Sequence, residues 1–160
     1  MEAKEKRKIR TLLGKVFCIL YILFMCYFLI ITDWYGRSGE LEEYHYNLTL
    51  FREIKRFWEH RETLGMYAVL ANIAGNVMIF IPLGFFLPMA SKYRNFFMTL
   101  FAALGISLGI EVFQFFSRVG RFDVDDLFLN TLGGIIGYIG YEIGVLIRRR
   151  NGKKRKTRKK

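Results

Sequence analysis

Polar side chains able to act on a ligand recur at helical spacing within otherwise apolar sequence. Ser107, Glu111, Gln114 and Arg118 are four, three and four residues apart and share one helix face. Asn72 and Asn76 share a face of another run. Arg121, Asp123, Asp125, Asp126 and Asn130 straddle a short turn and the start of a further run. Asp123, Asp126 and Asn130 fall on one face if a helix begins by Asp123. Carboxylates accept hydrogen bonds from hydroxyl or amine groups, guanidinium groups clamp phosphate, and amides do both kinds of work. Two carboxylates can also serve as acid and base. His45 and His60 stand at no metal-ligand spacing, and no serine or cysteine has an evident base partner. Neither a metal nor a cofactor is expected.

The elements that must position these groups are membrane spans. Four runs, residues 16–32, 68–90, 96–116 and 127–147, are nearly free of charge; only Glu111 and Glu142 interrupt them. A helix rises about 1.5 Å per residue, so roughly 20 apolar residues cross the hydrocarbon. The chain is 160 residues long, 52% hydrophobic and 24% charged, and four such runs leave no polar shell to cover them. The expected fold is an all-α membrane protein of four transmembrane helices. A basic arm over 1–15 precedes the membrane domain over 16–147, and a basic tail over 148–160 follows it. The apolar fraction excludes a disordered chain, and two cysteines exclude a disulfide-rich module. Cys18 and Cys26 lie two turns apart on one run, too far to bridge each other. The first run is too long for a signal peptide and lacks a small-residue cleavage site, so it reads as a retained anchor.

Orientation follows from the basic residues. The net charge is +11, and Lys and Arg gather in the N-terminal arm, in the turn holding Lys92 and Arg94, and in the tail from Arg148 onward. All three lie on one side of an even-numbered bundle, which places both termini in the cytoplasm. Trp34, Tyr35, Tyr44, Tyr46 and Tyr67 then suit an outer aromatic belt. The tail reads as an anchor for anionic lipid, worth about 1 kcal/mol per basic residue at the surface. Nothing aromatic is interleaved in it to stack on bases, which argues against nucleic acid.

Counting along the spans sets the depth of the polar groups. Asn72 and Asn76 fall in the outer half of the second span, and Asn130 in the first turn of the fourth. Glu111 lies about 8 Å below the outer end of the third by helical rise. An ionised group at the bilayer centre costs roughly 2.5–3.5 kcal/mol, so it needs a partner, water or a task. Glu111 is expected to pair with Arg118 or Arg121, and Asp126 with either arginine. Glu142, near the inner arginines, reads as structural. Pro82 removes a helix hydrogen bond below Asn76, which predicts a bend there. Gly133, Gly137, Gly140 and Gly144 form a small-residue stripe for close helix contact, within the bundle or with a second copy. Leu50, Phe51, Ile54, Phe57 and Trp58 predict an amphipathic helix in the first outer loop, as a cap on the bundle or as a lid.

Three stretches together resemble the signature of the VanZ-like family. They are Asn76 to Pro88 (NVMIFIPLGFFLP), Glu111 to Phe115 (EVFQF) and Gly120 to Gly134 (GRFDVDDLFLNTLGG). Tyr46 to Phe51 resembles the family's outer-loop Asn-Leu-x-Pro-Phe, with Leu50 in place of the proline. The resemblance spans roughly residues 72 to 141. It implies a small multi-pass bacterial membrane protein from a family whose founding member is associated with resistance to teicoplanin, a lipoglycopeptide. Asn76, Glu111, Gln114, Asp123, Asp126 and Asn130 match the family pattern.

Three functions compete on these residues. The first is a protective membrane protein that engages an amphiphile in the outer leaflet. That ligand would be a membrane lipid, a lipid-linked cell-wall precursor or the lipoglycopeptide. Its binding residues would be Asn72, Asn76, Glu111, Gln114, Arg118, Arg121, Asp123, Asp126 and Asn130. The second is a membrane enzyme acting on a lipid head group, with Asp123, Asp126 or Glu111 as acid and base. The third is an oligomeric transporter or scaffold. The first accounts for the most residues.

Overall fold

The structure, a computed structural model, describes residues 2–36, 45–91, 94–118 and 120–157. Tyr44 and Lys92 lie outside the described residues, as do the side chains of Trp34, Tyr35 and the tail beyond Gly152. Four long helices carry the chain: α1 (Glu2–Gly36), α4 (Met66–Ala90), α5 (Phe96–Ser117) and α6 (Val124–Thr157). Between α1 and α4 come β1 (Tyr46–Asn47), α2 (Arg52–Glu59) and α3 (Arg61–Leu64), and β2 (Phe122–Asp123) precedes α6. Each long helix contains a stretch long and apolar enough to cross a membrane: Thr11–Phe28, Met66–Ala90, Phe96–Ser117 and Val124–Gly152.

Helix boundaries depart from the apolar runs where charged residues are themselves good helix formers. α1 takes in the basic arm, and α6 continues into the basic tail. α6 also starts earlier than Leu127, at Val124, with Asp125 and Asp126 in its first turn. Acids are favoured there by the partial positive charge of the helix start. Asp123 stands just outside the helix and caps it, its Oδ1 accepting from the Asp125 N–H at 2.8 Å. α4 runs unbroken through Pro82 and Pro88. At the opposite end, Asn95 caps α5 by accepting from the Met98 N–H at 2.7 Å.

α4 and α6 form the central pair, with α1 laid against α4 and α5 against α6. Glycines set that closeness. A Cβ on Gly84 would lie 2.0 Å from the Gly134 carbonyl oxygen, and one on Gly137 2.0 Å from that of Ile81. The glycine stripe is therefore spent within the bundle at Gly133, Gly134 and Gly137, against α4 and α5. Phe80 and Leu83 of α4 pack with Cys18 and Met25 of α1 and Ala103 of α5 in the apolar core. The side chains sort inside out relative to a water-soluble bundle. Phe101 and Phe116 are 64% and 70% exposed, whereas Ser107 and Glu111 of the same helix are 0% and 2% exposed. Apolar surface costs nothing against lipid, while polar groups there go unpaired.

Candidate functional site

The buried polar face of α5 meets the start of α6 and the first half of α4 around a cavity of about 200 Å3. Eight of the nine expected residues line it: Asn72 and Asn76 from α4, Glu111 and Gln114 from α5, and Arg121, Asp123, Asp126 and Asn130 around the start of α6. Arg118 does not. By spacing it continues the α5 stripe, but the helix stops at Ser117 and Arg118 takes a left-handed conformation, φ 57°. Its backbone N–H closes the last turn on the Phe115 carbonyl.

The carboxylates hold the loops together. β1 and β2 pair in parallel, with Tyr46 opposite Phe122 and Asn47 opposite Asp123. Asn47, 4% exposed, donates from Nδ2 to Asp123 Oδ1 at 2.9 Å. Glu111 Oε2 accepts from the Asp123 backbone N–H at 2.9 Å. A backbone donor needs no side-chain entropy to hold in place. Asp126 accepts from Asn76 Nδ2, joining α6 to α4. Arg121 approaches Glu53 of α2 at 3.8 Å, and Arg56 pairs with the same carboxylate at 2.5 Å.

The structure adds four polar residues to the expected binding set: Asn47, Glu53, Arg56 and Asp125. Asp125 is 1% exposed and accepts from the backbone N–H groups of Phe51, Glu53 and Ile54. It thus caps α2, whose own N-cap residue, Phe51, supplies no side-chain bond. Glu53, Arg56 and Phe57 of the docked helix wall the cavity. The resemblance of Tyr46 to Phe51 to a family loop motif is the one signal that pointed at Asn47.

Asn130 holds the group that the fold leaves unmet. Its Nδ2 donates to Ser107 Oγ at 2.9 Å, while its Oδ1, fully buried, finds no partner among the described residues. An unpaired buried oxygen costs about 1–3 kcal/mol, so it marks a place for a hydrogen-bond donor. Across the cavity the acceptors outnumber the cations: Glu53, Glu111, Asp123 and Asp126 face Arg56 and Arg121. The arrangement suits a ligand rich in hydroxyl, amide or amine donors.

Burial pushes the Asp123 carboxyl above its ordinary range; the Asp125 N–H and the Asn47 amide pull it back, and the charges of Asp125 and Glu53 push it further up. The folded state therefore keeps this proton to higher pH than the unfolded chain. The stability it confers is full below the ordinary carboxylate range and declines as pH rises through that range toward the folded value. The β1–β2 pairing is accordingly expected to loosen as pH rises through and above the ordinary carboxylate range. Asp123→Asn, which keeps an accepting oxygen, is expected to flatten that trend. Hydrogen exchange of residues 46–50 against pH checks this, and an unchanged slope in the variant would refute it.

The VanZ/LLP1 family model matches residues 17–147. Over 62 residues the chain is 39% identical to "Protein VanZ" of Enterococcus faecium, a match covering 39% of this chain and 38% of that protein. The chain thus spans well under half of that relative's length in the match. No solved structure matches.

Proposed function

The chain is a multi-pass membrane protein that belongs to the VanZ/LLP1 family, and we propose that its polar cavity engages the head group of an amphiphile in the outer leaflet. The role is envelope protection, in the manner of a family associated with teicoplanin resistance. The observation that carries this reading is the convergence of six polar side chains from three spans, with Arg121 and Asp123 of the turn before α6, on one cavity with an unmet buried acceptor, Asn130 Oδ1. The positive-inside rule supports the orientation. Arg94 and the arginines from Arg148 lie at one end of the bundle and the cavity at the other, so both termini are cytoplasmic and the cavity faces out.

In this reading the carboxylates and amides receive donors of a peptide or sugar head group, and the lipid-facing helices accommodate its acyl chain. A lipoglycopeptide and a lipid-linked cell-wall precursor both present that chemistry. Arg121 at the rim, reached from α2 by Glu53, is the point where a phosphate or carboxylate would displace an existing partner.

Susceptibility of a sensitive Gram-positive host expressing the chain tests the proposal. Wild type is expected to protect against teicoplanin and not against vancomycin, which lacks the acyl chain. Asp126→Asn, which removes the charge and keeps the shape, is expected to abolish protection at equal membrane level. A charge-assisted contact is worth about 1.5–3 kcal/mol, or roughly ten- to a hundred-fold in affinity. Full protection by Asp126→Asn would refute the cavity as the site.

A further inference from the structure

A second cavity, of about 450 Å3, opens between α4 and α6 at the end of the bundle away from the polar site. The two helices have diverged there. Gly133 and Gly137 press on α4, but a Cβ on Gly144 would meet nothing within 4 Å. The cavity lining combines apolar side chains, Phe85, Met89 and Val145, with cationic ones, Arg94, Arg148 and Arg149. The arginines come from two separate places in the chain. Arg94 precedes α5 and is steadied by the Ser91 carbonyl and by Thr11 Oγ1 of α1, each at 3.4 Å. Arg148 and Arg149 stand where the apolar sequence of α6 gives out. Among the described residues, no carboxylate forms an ion pair with any of the three.

Three guanidinium groups and apolar side chains in one cavity, at the level where membrane-spanning sequence ends, call for an anion attached to hydrocarbon. Guanidinium forks match phosphate oxygens. Basic hollows between spanning helices are suited to phospholipid head groups. Glu142, also in the wall and hydrogen-bonded to Tyr138, supplies an acceptor beside the arginines. We propose that this cavity is a discrete binding site for an anionic phospholipid, with its phosphate on Arg94, Arg148 and Arg149 and a head-group hydroxyl on Glu142. This is separate from diffuse attraction of the basic tail to a charged surface, which has no stoichiometry.

The test uses the full chain, delipidated in neutral detergent, with phosphatidylglycerol occupancy read by native mass spectrometry. One lipid per chain is expected to bind saturably. Arg94→Gln with Arg148→Gln is expected to weaken it at least about ten-fold. Gly144→Leu, which fills the cavity and touches no charge, is expected to do the same while leaving lipid-free thermal stability unchanged. Replacing Lys153, Lys154 and Lys156 with glutamine is expected to change affinity less than about two-fold. Phosphatidylcholine bound as tightly would overturn the proposal, as would a loss seen only in the tail variant. Displacement of the lipid by inorganic phosphate at equal concentration would assign the arginines to a soluble anion and overturn the lipid reading.

Discussion

Gly84→Ala is expected to unseat α4 from α6 and remove the folded bundle. The new Cβ would lie 2.0 Å from the Gly134 carbonyl oxygen, 2.7 Å from its carbon and 2.8 Å from its Cα. All three are backbone atoms, so no rotamer change relieves the clash, and the helices must separate. Gly133, whose Cβ would meet the Val77 carbonyl oxygen at 2.1 Å, shares the constraint. Overpacking a tight core costs about 1–3 kcal/mol even where side chains can yield, and more where only backbone can move. Helix association in a membrane depends on close packing rather than on expelling water, so lost contact is not recovered elsewhere. Gly105→Ala on α5, with nothing within 4 Å of its Cβ, is the matched control. Thermal unfolding in detergent, followed by the monodisperse fraction, is expected to collapse for Gly84→Ala and stay unchanged for Gly105→Ala. Equal melting of the two would mean that α4 and α6 are not held at this distance.

Asp125→Ala is expected to release α2 from the bundle while the spanning helices stay folded. One carboxylate accepts from three backbone N–H groups, with Glu53 N at 2.7 Å and Ile54 N at 3.2 Å on Oδ2 and Phe51 N on Oδ1. These are the orphan donors at the start of α2, where a negative charge is also favoured by the helix dipole. Bonds to a charged acceptor contribute roughly 1.5–3 kcal/mol each, offset in part when water reaches the freed groups. A net local loss of about 3 kcal/mol corresponds to exchange faster by on the order of a hundred-fold across α2. Hydrogen exchange of residues 51–59 reads it directly. Unchanged protection would show that α2 is held by its apolar face alone, through contacts such as Phe51 against Phe128 with ring centroids 5.3 Å apart. Because Glu53, Arg56 and Phe57 wall the polar cavity, the same substitution is expected to impair protection in cells.

The spans and the polar stripe were legible because both are local patterns. Apolar length alone marks α1, α4, α5 and α6, and the spacing of Ser107, Glu111 and Gln114 marks the face that α5 turns inward. What spacing cannot carry is a partner far along the chain. Asp125 meets α2 across more than seventy positions, and Glu111 accepts from the backbone of Asp123, twelve positions on. Arg118 shows the converse. Its position fits the stripe, but the helix ends before reaching it, and a pattern of spacing does not announce its own end. The glycines of α6 announced a close neighbour without saying which; Val77, Ile81 and Gly84 of α4 are that neighbour. Asn130 was expected at the site from its place in the first turn of its span. Its unmet oxygen, however, is a property of the packed cavity and of no sequence motif.

Direct binding tests the central claim, that the outer polar cavity receives an amphiphile's head group. The purified chain in lipid nanodiscs would be titrated with fluorophore-labelled teicoplanin, and with labelled vancomycin as the acyl-free comparison. The wild type is expected to bind teicoplanin saturably, with Glu111→Gln and Asp126→Asn each weaker by roughly ten-fold or more. Teicoplanin binding of equal affinity in wild type and both variants would place the ligand elsewhere and contradict the account.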